Sequence, residues 1–254
     1  MNLNGKCIII TGGAGGIGIS TVKMLLESGA IVGVVDRNIK KLKYLENLIN
    51  NDLKERVYYY NINIGNFDEV ENTVNEFFDK CGSIDGLINN AAMLKDAPLI
   101  SVFQGQIHKY SLDTWHETLS SNLSGHFYFT RETVGKMIEK RIKGVIINIS
   151  SISSSGNKGQ TGYASSKAAL NALTVTWAQE LSMFGIRVAG LAPGMTDTDM
   201  PKNSMNEDMI KNWTHNTPLK RMASPEEIAQ AILFVFKNDY FCGRTLEIDG
   251  GLRM

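Results

Sequence analysis

With 254 residues, 43% of them hydrophobic and 20% charged, the chain has the make-up of an ordinary globular protein with enough residues for a sizeable core. Its 26 Lys and Arg balance 26 Asp and Glu, which argues against a nucleic-acid surface or a polybasic membrane patch. Cys7, Cys81 and Cys242 are odd in number and widely spaced, as expected of reduced thiols and not of a disulfide framework or a zinc site.

Ile8-Ile9-Ile10, the only apolar run near the N-terminus, is far too short for a signal sequence or a membrane span, so a cytoplasmic location is the default expectation. The run reads instead as a buried strand over Lys6 to Thr11, leading into Gly12-Gly13-Ala14-Gly15-Gly16-Ile17-Gly18. A helix follows, with Ile17, Val22, Leu25 and Leu26 on its apolar face and Ser28-Gly29 as its stop. Ala30 to Val35 is a second buried strand and ends on Asp36. Strand, glycine turn, helix and strand, with an acid about 20 residues on, form a dinucleotide-binding unit.

Each part of that unit has a physical reason. Glycines let the backbone turn tightly against a pyrophosphate, and the helix N-terminus offers free N–H groups and a positive dipole end. Asp36 would accept hydrogen bonds from the adenosine ribose and repel a 2′-phosphate, which favours NAD(H) over NADP(H). Arg37 is the complication, because a neighbouring cation could accommodate that phosphate.

The alternation continues. Leu42, Leu45, Leu48 and Ile49 mark a helix, Val57 to Ile62 a strand, Val70 to Phe78 a helix, and Ile84 to Ala92 a strand ending in small residues. A long helix is predicted over Thr114 to Ile138, strands over Gly144 to Ser151 and Ile186 to Ala192, and between those strands the helix that begins near Tyr163. The pattern predicts a single domain over 1–254, an α/β fold with one doubly wound parallel sheet of Rossmann type and helices on both faces. In such sheets ligands bind at the carboxyl ends of the strands, where the Gly12 loop, Asp36, Asn63, Asn90, Ser151 and Pro193-Gly194 all fall.

Tyr163 and Lys167 share one helix face at i and i+4. A phenol titrates near ~10, and bringing it to about 7 takes roughly 4 kcal/mol of differential interaction. A neighbouring cation works in that direction, and an oxidised nicotinamide ring would add a second positive charge. Alone, a Tyr-x-x-x-Lys pair is an ordinary surface pair; its neighbours in the sequence lift it above that.

Taken together these residues resemble the short-chain dehydrogenase/reductase family, along nearly the whole chain. Thr11-Gly12-x-x-x-Gly16-x-Gly18 matches its cofactor loop, and Asn89-Asn90-Ala91-Ala92 is close to its Asn-Asn-Ala-Gly. Asn122, Ser151, Tyr163 and Lys167 match its catalytic tetrad; Pro193-Gly194 with Thr196 and Thr198 resembles its nicotinamide-side loop, and Asp249-Gly250-Gly251 its closing motif. The resemblance implies that Tyr163 is the general acid/base, Lys167 lowers its pKa and holds the nicotinamide ribose, Ser151 stabilises charge on the substrate oxygen, and Asn122 supports Lys167 through water. Ser151 is preferred to Ser150 for that role, because successive strand residues face opposite ways. The implied cofactor contacts are Gly12, Gly15, Gly16, Ile17, Gly18, Asp36, Arg37, Asn63, Ile64, Asn90, Ala91, Tyr163, Lys167, Pro193, Gly194, Thr196 and Thr198.

Three positions depart from the family pattern: Asn63 for an Asp, Ala92 for a Gly and Ala189 for an Asn. The segment Leu94 to Tyr110 is longer than usual, and could border substrate, meet another subunit or be a surface loop. Met195 to Asn216 is expected to be a lid over substrate. Lys140, Arg141 and Lys143 read as a solvated helix end more readily than as a contact for an acidic carrier or a CoA phosphate.

Within the family the chain is most similar to 3-oxoacyl-carrier-protein reductases and 3-hydroxyacyl-CoA dehydrogenases. The resemblance implies an NAD(H)-dependent oxidoreductase interconverting a secondary alcohol and a ketone, on a small molecule or an acyl thioester, in a homo-oligomer, most often a tetramer. A sugar, polyol or other small-alcohol dehydrogenase is the alternative enzyme. A non-catalytic NAD-binding regulator is the alternative of another class. His108, His116, His126 and His215 show no ligand spacing, so no metal is expected.

Overall fold

The computed structural model describes residues 1–204 and 206–252. In chain order the elements are β1 (Cys7–Thr11), α1 (Gly16–Glu27), β2 (Ile31–Asp36), α2 (Ile39–Leu48), β3 (Val57–Asn61), α3 (Phe67–Cys81) and β4 (Gly86–Asn89). Next come β5 (Ile100–Phe103), β6 (Gln106–Lys109), α4 (Leu112–Leu119), α5 (Gly125–Glu139), β7 (Val145–Ile149) and α6 (Thr161–Leu181). The last are β8 (Arg187–Pro193), α7 (Asp199–Ser204), α8 (Glu207–Asn216), α9 (Pro225–Lys237) and β9 (Thr245–Ile248).

Seven strands form one sheet in the order β3-β2-β1-β4-β7-β8-β9, with every neighbouring pair parallel. Helices on both faces explain why β1 is apolar at consecutive positions. Ile8 and Ile10 enter one core with Val32 and Val34, under Val22 and Leu25 of α1 and Ile228 and Ile232 of α9. Ile9 faces the opposite core with Val35, Ile146 and Val188, under Val74 and Phe77 of α3 and Phe129 of α5. Ile9 is fully buried, so truncation to Ala would cost about 2–5 kcal/mol. The chain winds outward from β1 through β2 to β3, then returns to β4 on the other side. That reversal opens a crevice beyond the carboxyl ends of β1 and β4.

The structure adds to the expected elements. Segment 94–110 contains an antiparallel hairpin, β5 and β6, whose Gln104-Gly105 turn has φ of 50° and 77°. Two positive φ values are what a tight primed turn needs, and Gln-Gly signals one less clearly than Asn-Gly. The helix predicted over Thr114 to Ile138 runs from Leu112 to Glu139 but is interrupted by a π-helical turn at Ser120–Ser124. α9 opens with Ser224 in a capping box with Glu227 and with Pro225 in its first turn, which fixes its start. The 195–216 segment contains α7 and α8, and its Met205 lies outside the described residues. No helix among the described residues is long and apolar enough to cross a membrane.

Candidate active site

A cleft of about 480 Å³ opens at the crevice. Its floor at one end is the loop between β1 and α1. Gly12 has φ +62°, and a Cβ there would stand 2.7 Å from the Ala91 Cα; at Gly18 it would run into the Gly12 carbonyl. Only glycine keeps this loop tight against the β4 end. Asn90 ties the two together, donating from Nδ2 to the carbonyls of Thr11 (3.1 Å) and Gly12 (3.0 Å). Thr11 Oγ1 in turn accepts from the N–H groups of Asn90 (3.0 Å) and Ala91 (3.1 Å). The Asn-Asn-Ala stretch is thus the clamp on the glycine loop.

Gly15 caps α1 without any side-chain hydrogen bond, so the first N–H groups of that helix are free to meet a ligand. Free donors, a dipole end and a cradle that a Cβ would fill suit the pyrophosphate of a dinucleotide. Further out, Asp36 accepts from Ala14 N (3.2 Å) and Asn38 N (2.9 Å), which fixes its carboxylate beside the loop. Arg37 and Lys41 line the same end of the cleft. Lys41 is paired with Asp199 at 2.9 Å, while Arg37 makes a loose exposed pair with Glu117 at 3.9 Å.

At the other end stand Ser151, Tyr163 and Lys167. Ser151 follows β7 and lines the cleft with Tyr163, its Oγ accepting from Ser153 N at 3.1 Å. Ser150 points away, its Oγ donating to the Lys167 carbonyl at 3.0 Å. Lys167 is 1% exposed; its Nζ donates to the Ile149 carbonyl at 2.7 Å and lies 5.6 Å from the centre of the Tyr163 ring.

In the protein alone, the enclosure of both groups sets the direction in which Tyr163 and Lys167 shift. Tyr163 is pushed up to about 12, chiefly by burial, with the Asp96 charge adding and the Ser151 hydrogen bond opposing. Lys167 is pushed down to about 7 by burial. Both shifts have one cause: surrounded by protein, each group favours its neutral form.

Asn122 sits in the π-helical turn, fully buried and outside the cleft lining. Its Oδ1 accepts from Met93 N (2.7 Å) and its Nδ2 donates to Met93 O (2.8 Å), with a longer contact to Ser166 Oγ at 3.4 Å. The extra residue of a π turn re-aims one side chain, here onto the strand extension that forms the cleft wall. No direct bond to Lys167 is among its contacts.

Of the other sequence-derived positions, Gly12, Gly15, Gly16, Ile17, Gly18, Asp36, Arg37, Asn90 and Ala91 line the cleft, as do Pro193, Gly194, Thr196 and Thr198. Thr198 packs over Gly16, which brings the loop after β8 onto the glycine loop. Asn63 and Ile64 do not line it. Asn63 Oδ1 instead accepts from Gly65 N at 3.1 Å, and Ile64 is buried in the core beneath α5. Sequence reasoning missed Lys41, Met93 and Gln160 as lining residues, while Trp213 belongs to the 195–216 segment expected over the substrate. Lys41 had a signal, one helical turn beyond Arg37; Gln160, three residues before Tyr163, had none until its partner was known. Among the described residues no cluster of His, Cys, Asp or Glu could hold a metal ion.

A family model described as short chain dehydrogenase matches residues 6–209. The chain is 37% identical over 257 residues to a 3-oxoacyl-[acyl-carrier-protein] reductase of Thermotoga maritima, covering 99% of each. It is 35% identical over 256 residues to a protein of the same name from Chlamydia pneumoniae, covering 99% of this chain and 98% of that one. A crystal structure of a short chain dehydrogenase from Bacillus anthracis superposes with a TM-score of 0.87 at 29% identity, covering 99% of this chain and 97% of that one. With the sheet order, the glycine cradle and the Ser151–Tyr163–Lys167 cluster, these matches place the chain in the short-chain dehydrogenase/reductase family, as an oxidoreductase of hydroxyl and keto groups that uses a nicotinamide cofactor.

Proposed function

We propose that the protein reduces a 3-oxoacyl thioester to the 3-hydroxyacyl thioester with NADH, and runs the reverse reaction with NAD⁺. The observation that carries this reading is the convergence of Ser151, Tyr163 and Lys167 on the cleft that the glycine loop also lines. The printed names of the relatives from Thermotoga maritima and Chlamydia pneumoniae support the acyl substrate.

The cofactor, when bound, supplies or accepts the hydride. The chain's own residues handle the proton. A phenol held at about 12 is fully protonated at neutral pH, the form needed to donate to a carbonyl oxygen becoming an alkoxide. Ser151 is placed to donate a hydrogen bond to the same oxygen, stabilising its growing charge. As an ammonium, Lys167 uses one N–H on Ile149 and keeps two donors for the hydroxyls of the nicotinamide ribose. Asn122 holds Met93 and with it the cleft wall beside this cluster.

The choice of NADH rests on the Asp36 carboxylate, fixed beside the Gly12 loop and repulsive to a 2′-phosphate. Lys41 is neutralised by Asp199, which leaves Arg37 as the competing charge. We also infer a homo-oligomer, a tetramer by family resemblance, with the apolar groove of Leu123 in the π-helical turn, Phe127 on α5 and Ala169 and Leu173 on α6 as a subunit contact.

The test is the fall in nicotinamide absorbance with acetoacetyl-CoA, using NADH and NADPH in parallel. Faster turnover with NADH supports both parts of the proposal. Cofactor binding without turnover of acetoacetyl-CoA would redirect the substrate search to sugars and polyols, and faster turnover with NADPH would overturn the cofactor assignment.

A further inference from the structure

Tyr163 stands in the first turn of α6, the part of a helix least constrained by its own hydrogen bonds. Gln160, at the N-cap, makes no side-chain bond to the helix. Its Nε2 reaches out instead to Asp96 Oδ2 at 3.1 Å. The backbone repeats the connection: Ala97 N donates to Gly159 O at 2.8 Å, and Ala97 and Gln160 form a parallel bridge. The Gln160 carbonyl then accepts the first helical bond, from Ala164 N at 2.8 Å. Gln160 is 4% exposed and lines the cleft three residues before Tyr163. The start of the catalytic helix is therefore held from outside, by the segment that continues from Met93 and Asn122.

The pairing is also directional. A carboxylate only accepts hydrogen bonds, so the Gln160 amide must present its nitrogen to Asp96. Asp96 is partly open to solvent and has Gln160 as its side-chain partner. Its neighbour Lys95 is engaged with Glu117. The charged or titratable groups around the phenol are Lys167 from its own helix and Asp96 from the 93–97 segment; His126, facing Lys167, is neutral, pushed down to about 3 by burial.

We infer that Asp96 is a positioning residue for Tyr163: through Gln160 it fixes the first turn of α6, and that bond holds its carboxylate at the N-terminal end of the helix that carries the phenol. The inference rests on Tyr163 being the acid/base, and not on the identity of the substrate. It links the cleft wall to the proton affinity of the reacting group.

Two substitutions of opposite sign test it. Asp96→Asn keeps an acceptor for the Gln160 amide and removes the charge; Gln160→Glu adds a second carboxylate beside Asp96, three residues before Tyr163. In the enzyme–NAD⁺ complex, tyrosinate absorbance of each protein minus that of its Tyr163→Phe counterpart isolates one phenol. Asp96→Asn should lower its midpoint by about 0.3–0.7 pH unit, as expected for a partly exposed charge, and Gln160→Glu should raise it. The acidic limb of kcat for oxidation of 3-hydroxybutyryl-CoA should move the same way, with KM nearly unchanged. If neither variant moves the midpoint while both keep wild-type thermal unfolding, the inference is overturned. A wild type inactive on 3-hydroxybutyryl-CoA would count against the substrate reading and leave the absorbance titration decisive. A Tyr163→Phe enzyme with full turnover would instead remove the acid/base on which the inference stands.

Discussion

Lys167 Nζ lies 5.6 Å from the centre of the Tyr163 ring and donates to the Ile149 carbonyl at 2.7 Å. The amine is thus held at the end of β7, against the last carbonyl of that strand. Burial opposes charge on both groups in the protein alone, with the phenol pushed up to about 12 and the amine down to about 7. Positive charge arriving with an oxidised nicotinamide would act on the phenol in the opposite direction, and that would make its proton affinity depend on cofactor state.

The same burial predicts a stability effect with a definite sign. The folded-state pKa of Lys167 lies below its unfolded value of 10.5, so between about pH 7 and 10.5 the unfolded chain binds more protons than the folded one. Stability therefore rises with pH across that window, and the cost of the buried amine is largest below pH 7. Lys167→Met should be more stable than wild type at pH 7, with the gap closing towards pH 10, and should lose catalysis by orders of magnitude. Denaturant unfolding of both proteins at pH 7 and 9.5 checks this; a gap that widens with pH contradicts it.

Gly12→Ala should weaken cofactor binding at least tenfold. The added Cβ would sit 2.7 Å from the Ala91 backbone at a φ of +62°, so the loop must move away from the β4 end. Calorimetry with NADH measures the loss, and wild-type affinity in the variant would show that the loop tolerates the shift.

Much of this was legible in the sequence, and the exceptions have physical reasons. Cys7 to Thr11, Asp36 and the Tyr163–Lys167 spacing carry local signals: an unbroken apolar run, a strand-ending acid, a one-turn interval. β9 is short and only partly buried, so it lacks the apolar run that marks β1. The Asn122–Met93 bonds and the Asp96–Gln160 brace join residues 29 and 64 positions apart, and no periodicity reports such pairs. The direction of the Tyr163 and Lys167 shifts depends on how deeply both are enclosed, a property of the folded chain. Asn63 was assigned from its place past a strand end and Ile64 by resemblance, and their neighbours in the fold are Gly65 and the α5 helix.

Asn122→Ala should destabilise the protein by about 1–3 kcal/mol, since it strands the buried N–H and carbonyl of Met93. Turnover should fall as well, because Met93 belongs to the cleft wall. Urea unfolding and steady-state kinetics on the same preparation separate the two effects; unchanged stability would mean that the Met93 backbone finds other partners.

Asp36→Ser should shift preference towards NADPH. It removes the charge that repels a 2′-phosphate while Arg37 stays in place, and it removes an acceptor for ribose hydroxyls. The ratio of kcat/KM for NADPH over NADH is expected to rise at least tenfold, and an unmoved ratio would show that Asp36 is not the selector.

The most direct test of the central claim, that Tyr163 moves the proton, is a comparison of wild type with Tyr163→Phe. Both are assayed for cofactor affinity and for acetoacetyl-CoA reduction at neutral pH. The phenol hydroxyl is the only group lost, so cofactor affinity should stay within a few-fold while turnover falls by about 10²–10⁴. Turnover within a few-fold of wild type would contradict the assignment and move the proton transfer to another group.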